Sequence, residues 1–426
     1  MRMGGRLAAA MEVLADIEGR QRPAADALRD WGIAHRFAGG GDRAAIGNIV
    51  YDALRRSRSA AWLFDSGNPR ALAIGAVLLE WGETPEGINA MLEGDKFAPP
   101  PLDENELHIL RERLSADMPH EVRADCPDWC APLLQQAYGE DWTDEAAALA
   151  RRPPLDLRAN LLKGGRDAVL TALAATGATA TEIAPHGIRI APIEGSGRHP
   201  NVQSGEAFAE GLFEVQDEGS QIVSELAGAR PGMQVLDYCA GAGGKSLALS
   251  AAMRNQGQVF AHDALKPRLA PIVERMKRAG SRNIQLAAGA GELAPLEGRM
   301  DIVLVDAPCT GSGTWRRRPD TKWRLTRQQL DQRIAEQAEI LDIAAAYVKP
   351  GGLLAYVTCS VFRQENGEQV KAFLGRTPGF TPEDHAKLWN RHFPGHEDRA
   401  GVGTGISLSP ERTGTDGFYF CALRRT

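Results

Sequence analysis

The sequence has few cysteines, no long apolar run and no excess of positive charge. Six cysteines in 426 residues are too few for a disulfide scaffold, so we expect free thiols in a reducing cytoplasm. Charged residues interrupt the apolar stretches before they reach the length of a membrane span, and they also argue against a signal peptide in MRMGGRLAAAMEVLADIEGR. We therefore predict a cytoplasmic protein that has no membrane partner and is a monomer.

The formal net charge of -6 argues against a protein that binds nucleic acid through its overall charge. Any such contact must come from local basic patches, and the strongest patch consists of Arg316, Arg317, Arg318 and Lys322. A hydrophobic fraction of 43% is sufficient for the cores of two or three domains.

The stretch VLVDAPCTGSGTWRRRPDTKW, from Val303 to Trp323, combines several reactive groups. Its apolar start, which ends at Asp306 and Pro308, predicts a buried strand of a parallel sheet. Ligands bind at the carboxyl edge of such sheets, and Cys309 follows the strand at that edge. The acid and the thiol beside arginines and tryptophans indicate chemistry on a nucleic acid base. Trp315 and Trp323 could contact that base or pack the loop against the sheet.

Three regions differ in their hydrophobic pattern. Residues 1–145 show helical spacing and predict an all-α domain. After a proline break, residues 146–215 contain strand and helix signals that are typical of a small α+β module of βαβ type. Residues 216–426 alternate strands and helices, which predicts a doubly wound sheet with the polar candidates along one edge.

The helical region contains two motifs with more than one interpretation. The helix that follows the candidate cap Asp42 carries four arginines on its polar face: Arg43, Arg55, Arg56 and Arg58. This face is either the solvent-exposed side of an ordinary helical bundle or a surface that contacts RNA. Cys126 and Cys130 resemble half of a zinc site, but no second pair of ligands follows at suitable spacing. We expect no bound metal.

A glycine-rich loop follows the strand QVLDY. Its glycines let the backbone turn tightly near a ligand, and Asp263 at the end of the next strand can accept hydrogen bonds from a ribose diol. A phosphate-binding loop GxxxxGK[ST] would need glycine where Cys239 stands, which makes an NTPase a poor fit. The loop is also an imperfect dinucleotide fingerprint without an evident partner for hydride transfer. S-adenosylmethionine, which has one ribose and no phosphate, fits best.

Cys309 and Cys359 both follow strands of the predicted sheet. Carbon 5 of a pyrimidine is a poor nucleophile, but a thiolate that adds to carbon 6 makes it reactive enough to attack a methyl sulfonium. This chemistry requires a thiol, an acid near N3 of the ring and a base. Strand-end cysteines can also be small buried residues, but two of them beside Asp306 and a glycine loop favour the catalytic interpretation.

The motifs VLDYCAGAGGKS, DAPCTGSGTWRRRPDTKW and VTCSVFRQENGEQV resemble those of the RsmB/NOP/NSUN family of RNA cytosine-5 methyltransferases. The resemblance extends from FEVQDEGSQ at Phe213 to the closing DGFYFCAL. The N-terminal half is similar to the bacterial RsmB arrangement. The resemblance implies a Rossmann-like methyltransferase domain at 216–426, a helical NusB-like RNA-binding domain at 1–145 and an RRM-like module at 146–215.

The resemblance also implies roles for individual residues. Cys359 would attack carbon 6, Cys309 would assist release of the product, and Asp306 would contact both the cytosine and the cofactor. In DNA cytosine-5 methyltransferases the Pro-Cys thiol attacks, so Cys309 remains the alternative nucleophile. The implied cofactor-binding residues are Cys239, Ala240, Gly241, Ala242, Gly243, Gly244, Lys245, Asp263, Ala290 and Asp306.

The sequence departs from the family pattern at Ala290, where the family usually has an acidic residue for the adenine amino group. A backbone carbonyl or Glu292 could replace that acceptor. We predict S-adenosylmethionine-dependent methylation of cytosine in 16S rRNA, with a ribosomal assembly particle as a further candidate partner. The alternatives are methylation of tRNA and a NusB-like ribosome-assembly protein with a vestigial methyltransferase domain.

Overall fold

The computed structural model describes residues 1–426 except for the side chain of Ala290, and the chain divides into two compact units. The helical unit consists of Met1–Pro153, Pro192–His199 and Trp315–Leu325. The α/β unit consists of Pro154–Ala191, Pro200–Thr314 and Thr326–Thr426. No helix of the described chain is long and apolar enough to cross a membrane.

The N-terminal region is all-helical, as its hydrophobic spacing predicts. Its helices are α1 (Met3–Arg20), α2 (Ala24–Ala34), α3 (Gly40–Arg55), α4 (Ser57–Phe64), α5 (Pro69–Glu80), α6 (Pro85–Leu92), α7 (Glu104–Ser115), α8 (His120–Arg123), α9 (Ala131–Tyr138) and α10 (Trp142–Ala148). Leu7, Leu14 and Ile17 of α1 pack into the same apolar core as Ile46 and Ile49 of α3. Burial of these apolar faces stabilises the bundle.

The start of α3 differs by a few residues from the prediction. Gly39 rather than Asp42 is the N-cap, and the Asp42 carboxylate accepts a hydrogen bond from the Gly39 amide at 3.2 Å. Asp42 therefore occupies the third helical position of a capping box, where a carboxylate also interacts favourably with the helix dipole.

The arginines near α3 do not form the open polar face that the sequence predicted. Arg55 is buried and pairs with Asp52 at 2.9 Å, whereas Arg56 pairs with the buried carboxylate of Asp125 at 3.1 Å. Arg58 pairs with Asp128 at the surface. Asp52 on α3 itself turns Arg55 inward, and Asp125, which lies further along the chain, does the same for Arg56. The position of Asp125 could not be predicted from helical periodicity.

A small antiparallel sheet begins the α/β unit. Its elements are β1 (Leu155–Ala159), α11 (Arg166–Ala172), β2 (Thr179–Ala180), β3 (Gly187–Ile190), α12 (Glu206–Ala209) and β4 (Phe213–Val215). The strand order is β2-β3-β1-β4, which is the order of a split βαβ module. Leu157, Ile188 and Phe213 form its core. The predicted α+β module is thus present.

The large sheet has the strand order β11-β12-β13-β9-β8-β5-β6-β7, with β10 paired to β13. Its strands are β5 (Gln234–Asp237), β6 (Gln258–Ala261), β7 (Ile284–Leu286), β8 (Met300–Asp306), β9 (Val348–Thr358), β10 (Phe380–Pro382), β11 (Gly401–Val402), β12 (Ile406–Leu408) and β13 (Phe418–Arg425). The helices are α13 (Glu218–Leu226), α14 (Gly244–Ala252), α15 (Ala270–Ala279), α16 (Ala290–Leu293), α17 (Pro319–Arg324), α18 (Arg327–Ala345), α19 (Gly367–Arg376), α20 (His385–His392) and α21 (Pro410–Thr413).

Strands β7, β6, β5, β8 and β9 pair in parallel, as the alternating pattern predicts. Successive residues of one strand enter different cores: Val235 packs on one face of the sheet and Leu236 on the other. Coverage of both faces explains the continuous apolar runs of these strands. Because the central strands are parallel, β5, β8 and β9 all end at the same edge of the sheet.

Helix α17 belongs to the helical unit, although strand β8, which precedes it in sequence, belongs to the α/β unit. The segment Trp315–Leu325 is part of the helical unit, although it lies between β8 and α18 in the chain. Trp323 packs against the apolar core of that unit, and its indole N–H donates to the Leu54 carbonyl at 2.6 Å. The predicted domains 1–145, 146–215 and 216–426 are continuous in sequence, so they do not assign Trp315–Leu325 to the helical unit.

Candidate active site

The glycine loop joins β5 to α14 at the carboxyl edge of the sheet. Gly243 has φ +78°, and a Cβ atom there would lie 2.6 Å from Ile272 Cγ1, so both backbone conformation and space require glycine. The Gly241 amide donates to Asp263 Oδ2 at 3.0 Å, and the Leu265 amide donates to Asp263 Oδ1 at 2.9 Å. Asp263 thus connects the two loops predicted to hold the cofactor.

Asp237, the last residue of β5, is a buried carboxylate that the sequence analysis did not single out. Ser246 Oγ donates to its Oδ2 at 2.6 Å, whereas its Oδ1 is buried with no hydrogen-bond partner among the described residues. Burial, together with the negative charge of Asp306, raises the pKa of Asp237 to about 7 although the hydrogen bond from Ser246 opposes the change. Its position at the end of the strand before the glycine loop was the signal that could have identified it.

Lys245 and Asp306 form an ion pair between the ends of β5 and β8. The ammonium Nζ lies 2.6 Å from Asp306 Oδ2, and Lys245 is almost fully buried. Burial by itself would lower the pKa of Lys245, but the Asp306 carboxylate outweighs this effect and raises it. The ammonium also attracts negative charge on Cys359 and lies 5.5 Å from the centre of the Phe418 ring.

Cys309 and Cys359 meet at this edge. Their sulfur atoms lie 3.3 Å apart, although the residues are separated by 50 positions in sequence. The hydrogen bond with Cys359 and burial both raise the pKa of the Cys309 thiol. Cys309 therefore keeps its proton next to the second sulfur. The structure brings together the two thiols and the acid that the sequence analysis selected.

Glu365 connects the loops that carry the two cysteines. It is fully buried; its Oε1 accepts from the Thr310 amide at 2.8 Å, and its Oε2 accepts from the Thr310 and Ser360 hydroxyls. Gln337 Nε2 donates to Glu365 Oε1 at 2.9 Å. Thr310 follows Cys309 and Ser360 follows Cys359, so one carboxylate orients the backbone beside both thiols. Glu365 lies within the motif VTCSVFRQENGEQV, from which no role was predicted for it.

Further hydrogen bonds hold the loops together. The Gly313 amide donates to the Cys359 carbonyl at 3.0 Å, and the Ser312 and Ser360 hydroxyls lie 3.0 Å apart. Ser312 Oγ also accepts from the Val361 amide at 2.9 Å. These small polar side chains fix the backbone on either side of the sulfur pair.

The predicted RNA-contact residues occupy different environments. Lys322 is only 2% exposed, and its ammonium donates to the Arg55 and Asp125 carbonyls, so it is not available to RNA and that prediction is wrong. Arg316 is buried, and its carbonyl accepts from Arg55 Nε at 2.8 Å. Arg317 is half-buried, and only Arg318 is exposed among these four residues. Local sequence showed the cluster of charge but not the core into which two of its members are packed.

The remaining site predictions stay open or lie outside the described residues. The side chain of Ala290 is outside them, and Glu292, the alternative acceptor for adenine, is exposed. Burial raises the pKa of the Cys239 thiol, so Cys239 lies in the loop in its neutral form. No group of three or more His, Cys, Asp or Glu side chains in the described part of the chain could hold a metal ion.

The residues at this edge fit S-adenosylmethionine. The glycine turn leaves backbone amides near the ligand, Asp263 can serve a ribose, and the unpartnered Asp237 oxygen can balance a positively charged sulfonium. Such a ligand contains no phosphate, so the buried lysine is free to pair with Asp306 instead.

Comparison with known proteins agrees with this geometry. A family model described as 16S rRNA methyltransferase RsmB/F matches residues 226–424, and an RsmF/B-like ferredoxin-like domain matches residues 126–193. Ribosomal RNA small subunit methyltransferase B of Klebsiella pneumoniae is 34% identical over 310 residues, which are 71% of this chain and 67% of the relative. Its namesake in Pseudomonas syringae is 35% identical over 321 residues, covering 73% and 69%.

A solved structure supports the architecture of the whole chain. The crystal structure of PH0851 superposes with a TM-score of 0.71 and 23% identity and covers 100% of both chains, which shows a shared fold. The aligned regions of the two bacterial relatives span about two thirds of their length. On these matches and on the site described above, the chain belongs to the RsmB/F family of S-adenosylmethionine-dependent RNA methyltransferases.

Proposed function

We propose that this protein methylates carbon 5 of a cytosine in RNA through a covalent adduct between Cys359 and carbon 6. The observation that carries the proposal is the pair of sulfur atoms 3.3 Å apart, beside the ion pair of Lys245 and Asp306. Methylation of nitrogen or oxygen needs no thiol, whereas methylation of a pyrimidine carbon needs a nucleophile to activate the ring.

The proposed reaction begins with attack of the Cys359 thiolate on carbon 6, which forms a carbon–sulfur bond and makes carbon 5 nucleophilic. S-adenosylmethionine supplies the methyl group when it is bound. Loss of the proton from carbon 5 and cleavage of the bond to Cys359 then restore the aromatic ring and the free thiolate. Lys245, paired with Asp306, places a buried positive charge at the edge of the sheet where this chemistry takes place.

Asp306 and Cys309 have supporting roles in this proposal. The Asp306 side chain is 32% exposed, so a carboxylate held by Lys245 can still reach the ring as a hydrogen-bond partner. Cys309 lies at hydrogen-bond distance from the attacking sulfur, so it can act as a proton relay, and after passing its proton on it can act as the base that helps release the product. Attack by Cys309 is the alternative, as in the DNA enzymes.

The small-subunit ribosomal RNA is the substrate that we propose, because the relatives are named for that molecule. A transfer RNA is the second candidate. A vestigial enzyme that acts only in ribosome assembly is the third, but the complete set of Cys309, Cys359, Asp306 and Lys245 favours an active enzyme.

The test is a trapping assay with ribosomal RNA that contains 5-fluorocytosine, which blocks the removal of a proton from carbon 5. Wild type and Cys309→Ala should form an adduct that resists denaturant, and Cys359→Ala should form none. An adduct with Cys359→Ala but not with Cys309→Ala would reverse the two roles. Absence of any adduct on an RNA that binds would refute the cytosine mechanism.

A further inference from the structure

The helical unit contains a cavity, and none of its lining residues belongs to the candidate active site. It has a volume of about 670 Å³ and lies beside the first turns of α1, the end of α2 and the residues that follow α6. Four aromatic side chains line it: Trp31, His35, Phe37 and Phe97. We call it the aromatic cavity.

Three of the four aromatic rings contact one another, and two of the four are largely exposed. The rings of Trp31 and His35 are stacked with centroids 4.2 Å apart, and Phe37 meets the edge of His35 at 5.8 Å. Phe37 is 72% exposed and Phe97 is 67% exposed. Large apolar side chains that remain exposed around a cavity indicate a surface for a ligand or partner.

The charges around the aromatic cavity favour an anionic ligand. Arg2 and Lys96 line it, and the exposed Arg36 stands between the lining residues His35 and Phe37 in the sequence. Among the described side chains, Arg36 and Lys96 have no ion-pair partner. Lys96 Nζ lies 4.7 Å from the centre of the Phe97 ring. Exposed cations interleaved with aromatic rings are typical of proteins that bind single-stranded nucleic acid.

The acids of the aromatic cavity are already occupied by other groups. Glu12 accepts a hydrogen bond from the Trp31 indole at 2.9 Å. The two oxygens of Asp95 accept from the Gly5 amide at 2.9 Å and from the Phe97 amide at 3.1 Å. These hydrogen bonds satisfy carboxylate oxygens through neutral donors, and none of them uses Arg36 or Lys96.

We propose that the aromatic cavity binds unstacked bases of single-stranded RNA, with the neighbouring phosphates on Arg36 and Lys96. This rests on the proposed function, because it assigns the cavity to the same RNA substrate outside the methylated nucleotide. A flat base can stack on an exposed aromatic ring such as Phe37 or Phe97, and stacking of this kind tolerates different base identities. An apolar peptide would use the rings but gain nothing from the surrounding cations.

The test uses the full-length protein and fluorescein-labelled 12-nucleotide oligoadenylate and oligocytidylate, with affinity measured by anisotropy. Phe37→Ala and Phe97→Ala should each weaken binding about 5-fold or more, since one stacked base contributes about 1–3 kcal/mol. Phe37→Trp should keep the affinity. Ile33→Ala is the matched control, because Ile33 is 59% exposed at the end of α2 but does not line the cavity.

Equal binding by Phe37→Ala, Phe97→Ala and Ile33→Ala would overturn the proposal, as would a cavity that takes up an apolar dye which the oligonucleotides do not displace. Circular dichroism should show that all variants are folded. The trapping assay separates this test from the proposed function: Phe37→Ala should still form the 5-fluorocytosine adduct at saturating RNA, and Cys359→Ala should still bind the oligonucleotides.

Discussion

The two halves of the motif DAPCTGSGTWRRRPDTKW belong to different structural units of this protein. Residues Pro308–Thr314 stay with the sheet and present Cys309 beside Cys359, whereas Trp315–Leu325 belongs to the helical unit. The first half is held by hydrogen bonds between loops, and the second half buries a tryptophan, an arginine and a lysine. Adjacent residues in a motif therefore need not serve the same site.

Two buried lysines show this contrast in their electrostatics. The Asp306 carboxylate pairs with Lys245 and raises its pKa, so that lysine remains a cation at neutral pH. Burial lowers the pKa of Lys322 to about 8, although the charge of Asp125 opposes the change. Lys322 is hydrogen-bonded to backbone carbonyls, which compensate a buried charge less well than a paired carboxylate does.

The largest contrast should come from the same substitution at the two lysines. Lys245→Met should reduce the rate of methyl transfer about 10²-fold to 10³-fold, because it removes a fixed positive charge beside the reacting groups. Lys322→Met should leave the rate per folded molecule within about 2-fold while it destabilises the helical unit. Single-turnover methylation and urea unfolding of both variants measure the two effects. Equal losses of rate in both variants would contradict the contrast.

The stability effect of Lys322→Met should depend on pH. Between the folded pKa of about 8 and the ordinary lysine pKa of 10.5, the unfolded chain binds a proton that the native amine does not. The Lys322 contribution to the free energy of unfolding therefore rises with pH across that window and is constant below it. The destabilisation by Lys322→Met should reach about 1–3 kcal/mol at pH 10 and be smaller at pH 7. An effect that does not grow from pH 8 to pH 10 would show that burial does not lower this pKa.

A smaller effect should follow from loosening the loops that hold the sulfur pair. Glu365→Gln should lower kcat about 10-fold to 10²-fold, because misplaced reacting groups slow the chemical step. The KM for S-adenosylmethionine should change less than about 3-fold, since Glu365 contacts the cysteine loops and not the glycine loop. Glu368→Gln on the exposed surface of α19 is the control. A change in KM with unaltered kcat would exclude this positioning role.

The smallest expected effect is on RNA binding, where the exposed Arg318 should contribute and the buried Lys322 should not. Arg318→Ala should weaken RNA binding about 2-fold to 3-fold and reduce the slope of log affinity against log salt by about 1, as expected for one phosphate contact. Lys322→Met should leave that slope unchanged because its ammonium does not reach solvent. Fluorescence titrations at several salt concentrations test this. A larger change of slope for Lys322→Met would place its charge on the RNA.

The sequence by itself determined the helical character of the first region, the parallel strands of the large sheet and several of the residues at its edge. Hydrophobic periodicity is a local property, so QVLDY, QVFAHD and LLAYVTCS predicted their strands correctly. The position of a polar residue at the end of such a strand also follows from local pattern, which is why Asp306, Cys309 and Cys359 could be selected in advance. The boundaries 1–145, 146–215 and 216–426 and the NusB-like character of the helical domain remain predictions.

Only the tertiary structure decided which charges are buried and what they contact. Glu365 gains its role from Thr310 and Gln337, which are far from it in the chain. Lys322 becomes an interior residue because carbonyls 267 and 197 positions away accept its hydrogen bonds. Whether a charged side chain enters a core depends on long-range partners that offset its loss of hydration, and a local pattern of residues contains no information about those partners.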